Sequence, residues 1–237
     1  MKKTLAALAL AALLPATASA ADFDYNYAEA AYSKADSDFT DGGLPYSGGQ
    51  GFMVDGSYGF GEHWFAEALY RHNSFHQYLI SKATPTTPST STSLTATPES
   101  LRLGGGFHTP IAGSVDLIAH LDYGFAHTHV ESSRTHSSLP AGNDDGYVVG
   151  AGLRIHATDQ LEVDVGIDHD DLGYGQQIVT VCTAKCVLFA EARQSGTENV
   201  LSAAGHYDFG PVIGGVEYRH SSFQGWRELL VSLRIDF

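Results

Sequence analysis

Imidazoles, carboxylates and hydroxyls fall into three groups whose types and spacing could do chemistry. His120, His127, His129 and His136 crowd one stretch, and His127-Thr-His129 puts two imidazoles on one face of an extended strand. Such a pair suits a divalent metal, with His169-Asp-Asp171 or Asp144-Asp145 as further oxygen ligands. Histidines on a hydrophilic rim need no metal, however, and no metal site is expected. The second group is Tyr218-Arg219-His220-Ser221-Ser222-Phe223 followed by Glu228. His220 and Ser222 share a strand face and Glu228 stands on the next strand, the residue types of nucleophilic catalysis. The third group is a set of ionised side chains at alternating positions: Glu29, Asp55, Glu67, Arg71, Arg102, Asp116, Asp122, Arg154, Glu162, Asp164, Glu217, Arg219, Glu228 and Arg234. Inside a narrow enclosure these would form an ion-pair network, because an arginine can bridge several carboxylates at once. If the enclosure were open, the acidic excess would favour cations.

The elements that must position these groups are strands. Leu229, Val231, Leu233, Ile235 and Phe237 share one face, against Glu228, Ser232, Arg234 and Asp236 on the other. The same alternation runs through Val115–Phe125, Tyr147–Ile155 and Leu161–Ile167. Ten strands are predicted, over 23–33, 51–60, 63–75, 98–108, 114–128, 146–157, 160–170, 199–209, 212–221 and 227–237, with eight if the weakest are misread. Short links are predicted at Gly61-Glu62, Thr109-Pro110, Thr158-Asp159 and Gly210-Pro211. Long polar links are predicted over 35–49, 76–97, 131–145 and 172–197, with a shorter one over 222–226. Apolar faces that tend to end in aromatics, with short turns on one side and long loops on the other, predict an all-β, closed antiparallel transmembrane barrel. The short turns would be periplasmic and the long loops extracellular. Closure is required because a backbone group facing lipid finds no water to bond.

Residues 1–20 read as a cleaved signal peptide: Lys2 and Lys3, an apolar run too short to span a bilayer, then Ala18-Ser19-Ala20. Residues 21–237 would form one barrel domain. The net charge of −14 argues against nucleic acid as a partner. Cys182 and Cys186 are the only cysteines, and in an exported chain they are expected to form a local disulfide. The Thr/Ser/Pro stretch over 81–98 is expected to be a mobile, exposed loop. Strands of the predicted length would end near the membrane surface, too short to raise a catalytic cleft above it. That argues against an omptin-like protease.

The first strand, Tyr25-Asn-Tyr-Ala-Glu-Ala-Ala-Tyr32, and the last, Leu229-Leu-Val-Ser-Leu-Arg-Ile-Asp-Phe237, resemble small bacterial outer-membrane barrels of the OmpA/OmpX/opacity, porin-family kind. The resemblance implies residence in the outer membrane among lipid and lipopolysaccharide. It also implies recognition of the terminal Phe237 by the barrel-assembly machinery after escort by periplasmic chaperones. The set His220, Ser222 and Glu228 resembles the PagL-type lipid A deacylases, which would make Ser222 the nucleophile, His220 the base and Glu228 the orienting acid. By parity, however, Glu228 points inward and the other two outward. Tyr70-Arg71-His72-Asn73-Ser74-Phe75 also repeats the phrase at another strand end. The expected function is structural or surface-interacting, with a plugged lumen and no cofactor. A narrow channel and a lipid A deacylase stand as alternatives.

Overall fold

A computed structural model describes residues 23–37, 40–41, 44–45, 47–81, 90–132, 138–172, 178–181, 187–190, 197–221 and 226–237. Residues 1–20, Cys182, Cys186, His136 and Ser222 lie outside the described residues, so the leader and disulfide expectations fall there too. Ten long strands build the fold: β1 (Tyr27–Ser37), β2 (Ser47–Phe60), β3 (Trp64–Ser81), β4 (Thr90–Ala112), β5 (Val115–Ser132), β6 (Ser138–His156), β7 (Leu161–Asp170), β8 (Glu198–Asp208), β9 (Ile213–Ser221) and β10 (Trp226–Asp236). Each pairs antiparallel with its sequence neighbours, and β10 returns to β1 from Tyr27↔Asp236 to Ser37↔Trp226. The barrel is closed. Two short hairpins, Thr40–Asp41 with Leu44–Pro45 and Ile178–Val181 with Val187–Ala190, pair outside the barrel sheet.

Alternation decides which face of each strand meets lipid. Tyr58, Leu121, Val231 and Leu233 are among the large apolar residues most exposed on the outer wall, Leu233 at 64%. In water such a surface would be a liability, whereas in hydrocarbon it is the solvated face. Aromatic contacts gather at its edges: Trp64 meets Phe107 edge-on at 5.2 Å, Tyr207 meets Phe209 at 4.9 Å, and Tyr123 meets Phe125 at 5.0 Å. Val231→Arg, within this belt, is expected to cost about 2 kcal/mol, read as a lower urea midpoint for the barrel refolded in lipid. An unchanged midpoint would mean that β10 does not face the bilayer.

Three expectations need correction. The first strand begins at Tyr27 rather than 23: Asn26 still accepts from Phe237 N at 3.0 Å through its carbonyl and from Gly59 N at 3.1 Å through Oδ1, but Phe23 and Tyr25 before it turn to Arg154, His108 and Asp116. The link placed at Thr109-Pro110 falls instead at Gly113-Ser114. Pro110 stays in β4 opposite Asp116, beside a register shift before Ala112, where a proline costs little near a strand end. The third concerns height. Strands β3 to β6 have 18, 23, 18 and 19 residues, against the roughly 9–11 that cross a bilayer. The stretch 90–98 is therefore strand, not loop, with Thr90 opposite Ser81 and Leu94 opposite Gln77. Backbone pairing and the β-propensity of threonine hold it, so no apolar face is needed above the membrane. At ~3.3 Å per residue and ~40° tilt, these four strands rise roughly 20–30 Å beyond the ~25 Å belt, so strand length does not argue against an omptin-like cleft above the membrane.

Candidate functional site

The lumen is built by the inward parity, which the structure gives to every charged residue named for it. It fills in three tiers between the periplasmic and extracellular ends. In the lowest, Glu162 accepts from Arg154 Nε and Arg234 Nη1, each at 3.0 Å, while Arg234 Nε reaches Asp236 at 3.1 Å. His206 lies 3.0 Å from Asp164 and 3.7 Å from Glu29. The N-terminal segment packs against this end. Tyr25 stacks on His108 at 3.9 Å and donates to Asp116 at 2.9 Å, and His108 Nδ1 meets the same carboxylate at 2.9 Å. Arg154 sits 5.0 Å over the Tyr25 ring and 5.4 Å over Phe23, and donates to the Asp24 carbonyl at 2.8 Å. These contacts combine a charge-assisted hydrogen bond with cation–π attraction.

In the middle tier Tyr27 donates to Asp55 at 3.1 Å. His120 stands between Glu67 at 2.8 Å, Asp122 at 3.2 Å and Asp168 at 3.1 Å, and Arg219 holds Asp168 at 3.5 Å and Glu217 at 3.3 Å. In the upper tier Arg71 pairs with Glu228 at 3.4 Å, Arg102 pairs with Asp170, and Glu198 accepts from Ser221 and from Trp226 Nε1 at 3.2 Å. Above them Leu172, 1% exposed, turns into the barrel over Gly124 and Gly146, its N–H given to Asp170 at 2.8 Å. Five arginines, at 71, 102, 154, 219 and 234, are buried here, and each faces at least one carboxylate.

The alternation puts Asp168 opposite the lipid face of its strand, whereas Asp170, Glu198, His206 and Tyr25 escaped the sequence reading as lumen groups. The signal was available. Asp168 and Asp170 continue the inward phase of Glu162 and Asp164, and Glu198 opens that of Val200 and Ser202. The histidine group comes apart, because an odd separation puts His120 inside while His127 and His129 face out. His169 bonds Asn199 at 3.0 Å on the outer wall, and Asp145 accepts from Tyr123 OH. His220 lies on the outward face of β9, whereas Glu228 is fully buried in the lumen against Arg71. Phe237 is exposed at the periplasmic edge of the outer wall, its N–H bonded to the Asn26 carbonyl.

Above the aromatic edge the outer wall of β3–β6 turns polar. His72, Glu99, His127 and Asn143 occupy one row across four strands, with His72 Nδ1 to Glu99 at 2.9 Å and His127 Nδ1 to Asn143 at 2.6 Å. A groove of about 520 Å³ marks the change, lined by Tyr70, Leu101 and Phe125 below and Glu99, His127 and Asn143 above.

The family model described as "Outer membrane protein beta-barrel domain" matches residues 5–219. No curated protein sequence matches the chain. Among solved structures, the translocator domain of the autotransporter NalP from Neisseria meningitidis superposes with a TM-score of 0.50 at 12% identity, covering 100% of this chain and 95% of that one. Ail, the attachment invasion locus protein of Yersinia pestis, gives 0.38 at 12% identity over 89% of this chain and 95% of its own. The KdgM porin gives 0.40 at 7% identity over 89% and 99%.

Proposed function

This chain belongs to the outer-membrane β-barrel domain family, and from that premise we propose that it is a closed-lumen barrel acting at the cell surface, neither an open pore nor an enzyme. It resides in the bacterial outer membrane, in contact with lipid and lipopolysaccharide. The observation that carries the proposal is the outer wall of β3–β6. That wall passes from an apolar belt to a hydrogen-bonded polar row while the lumen behind it is filled by paired charge. A raised wall with a groove at headgroup level suits contact with lipopolysaccharide sugars or a neighbouring surface. During assembly the exposed Phe237 end of β10 would be the segment read by the barrel-assembly machinery, after chaperone escort and removal of residues 1–20.

The second reading, a narrow cation-favouring channel, rests on the lumen's acidic excess and on Asp164 and Glu217, whose side chains stay 31% and 23% exposed. Conductance separates the two. The purified barrel in planar bilayers is expected to give no steady current, because Arg71, Arg219 and Arg234 project into the lumen at different heights and are each paired there with carboxylates of other strands. Reproducible cation-selective steps in the wild type would replace the closed reading with the channel. The deacylase alternative, resting on His220, Ser222 and Glu228, requires lipid A from expressing cells to lose an acyl chain that Ser222→Ala restores. Unaltered lipid A is the expected result.

A further inference from the structure

One lumen cluster is arranged for more than ion pairing. Glu67 on β3, His120 and Asp122 on β5 and Asp168 on β7 come from alternate strands, and the strands between them carry glycine at the inward position. Gly104 of β4 pairs with Glu67 on one side and Asp122 on the other, and Gly150 of β6 pairs with His120 and Asp168. A Cβ at Gly104 would stand 2.0 Å from Asp122 Oδ1, and one at Gly150 1.7 Å from His120 Nε2. A methyl at either glycine would push these side chains out of their present positions. Glu67, His120 and Asp122 each bring a ligand atom within 4.8 Å of the others. Asp122 is 4% exposed, and its Oδ1 has no hydrogen-bond partner among the described residues.

We propose that Glu67, His120 and Asp122 form a binding site for one divalent first-row cation, with zinc as the fitting probe. One imidazole and two carboxylates offer three protein ligands with charge matched to a dication, leaving a position for water. The ring geometry agrees. Glu67 and Asp122 both face Nδ1, while Nε2 lies 3.1 Å from Asp168, itself held by Arg219 at 3.5 Å. Asp168 is thus a positioning residue: by accepting from Nε2–H it fixes Nδ1 as the ligand atom, the carboxylate–histidine–metal relay of many zinc sites. Glu162, Asp164 and His206 also lie within ligand distance of one another. There, however, Arg154 and Arg234 each contact Glu162 at 3.0 Å, so the site already holds its positive charge.

The test uses the full mature barrel, folded in detergent, stripped with chelator and dialysed against Zn²⁺, with bound metal measured by plasma mass spectrometry. Since His72, His127 and His129 on the outer wall could bind zinc themselves, the reference protein carries alanine at all three. One ion per barrel is expected in that reference. Glu67→Gln should lose it, and Asp168→Asn should bind about 10–100-fold more weakly. Heat-modifiable mobility reports whether each variant is folded. Should a variant fail to fold, cobalt bound to the reference protein decides, with visible ligand-field bands expected for a site of one nitrogen and carboxylate oxygens. No ion in the reference protein, or one ion retained by folded Glu67→Gln, overturns the proposal.

Discussion

Arg71→Met is expected to destabilise the folded barrel by about 3–5 kcal/mol, the usual cost of removing one partner from a buried ion pair. Methionine fills similar volume, so the loss is electrical rather than a cavity. Glu228 is 2% exposed, and with Arg71 gone its carboxylate keeps the neutral Asn73 amide at 3.4 Å. Water cannot enter freely to replace the cation, because Met53 and Leu230 pack beside it. The check is a double-mutant cycle in urea with the barrel refolded into vesicles. Glu228→Gln in the Arg71→Met background removes the stranded charge and should recover most of the loss, giving a coupling above ~1.5 kcal/mol. A double variant no more stable than Arg71→Met would mean that the upper tier is held by packing and not by charge.

That result would also bear on why the lumen was readable. A period of two assigns every residue of a spanning strand to lipid or to the interior, and the membrane punishes a charged residue on the wrong side. Glu29, Arg102, Asp116 and Glu162 could therefore be placed inside from parity alone. Partners could not. Arg71 meets Glu228 three strand boundaries away, through the β1–β10 closure, and Arg102 reaches Asp170 three boundaries away through a sheet curvature that no local pattern encodes. His120, His127 and His129 show the cost of reading proximity in sequence without parity: one faces in and two face out. Above the belt the constraint lapses, since water solvates either face. The Thr/Ser stretch over 90–98 accordingly carries no apolar alternation yet still pairs as strand. The N-terminal tuck was illegible for the opposite reason. Phe23 and Tyr25 continue the alternation of β1, and only the distant Arg154, His108 and Asp116 show that they have left the sheet.

The glycines give the sharpest contrast between positions that look alike in sequence. Gly104→Ala is expected to cost about 3 kcal/mol or more, at or beyond the usual ~1–3 for overpacking. The new methyl would stand 2.0 Å from Asp122 Oδ1, from which the carboxylate could swing away. It would also stand 2.3 Å from the Leu121 carbonyl and 2.6 Å from Asp122 Cα, which cannot move without parting β4 from β5. Ladder bonds opened there meet hydrocarbon on the outer side, where no water replaces them. Gly205→Ala makes the same chemical change on β8 with nothing within 4 Å of the added carbon, and should be neutral or stabilising by up to ~1 kcal/mol through lost backbone freedom in the unfolded chain. Urea titrations followed by tryptophan fluorescence and gel mobility can compare the two directly. The close approach of β4 to the acidic cluster is what separates them, so equal midpoints for the two variants would remove the steric basis for the convergence of Glu67 and Asp122.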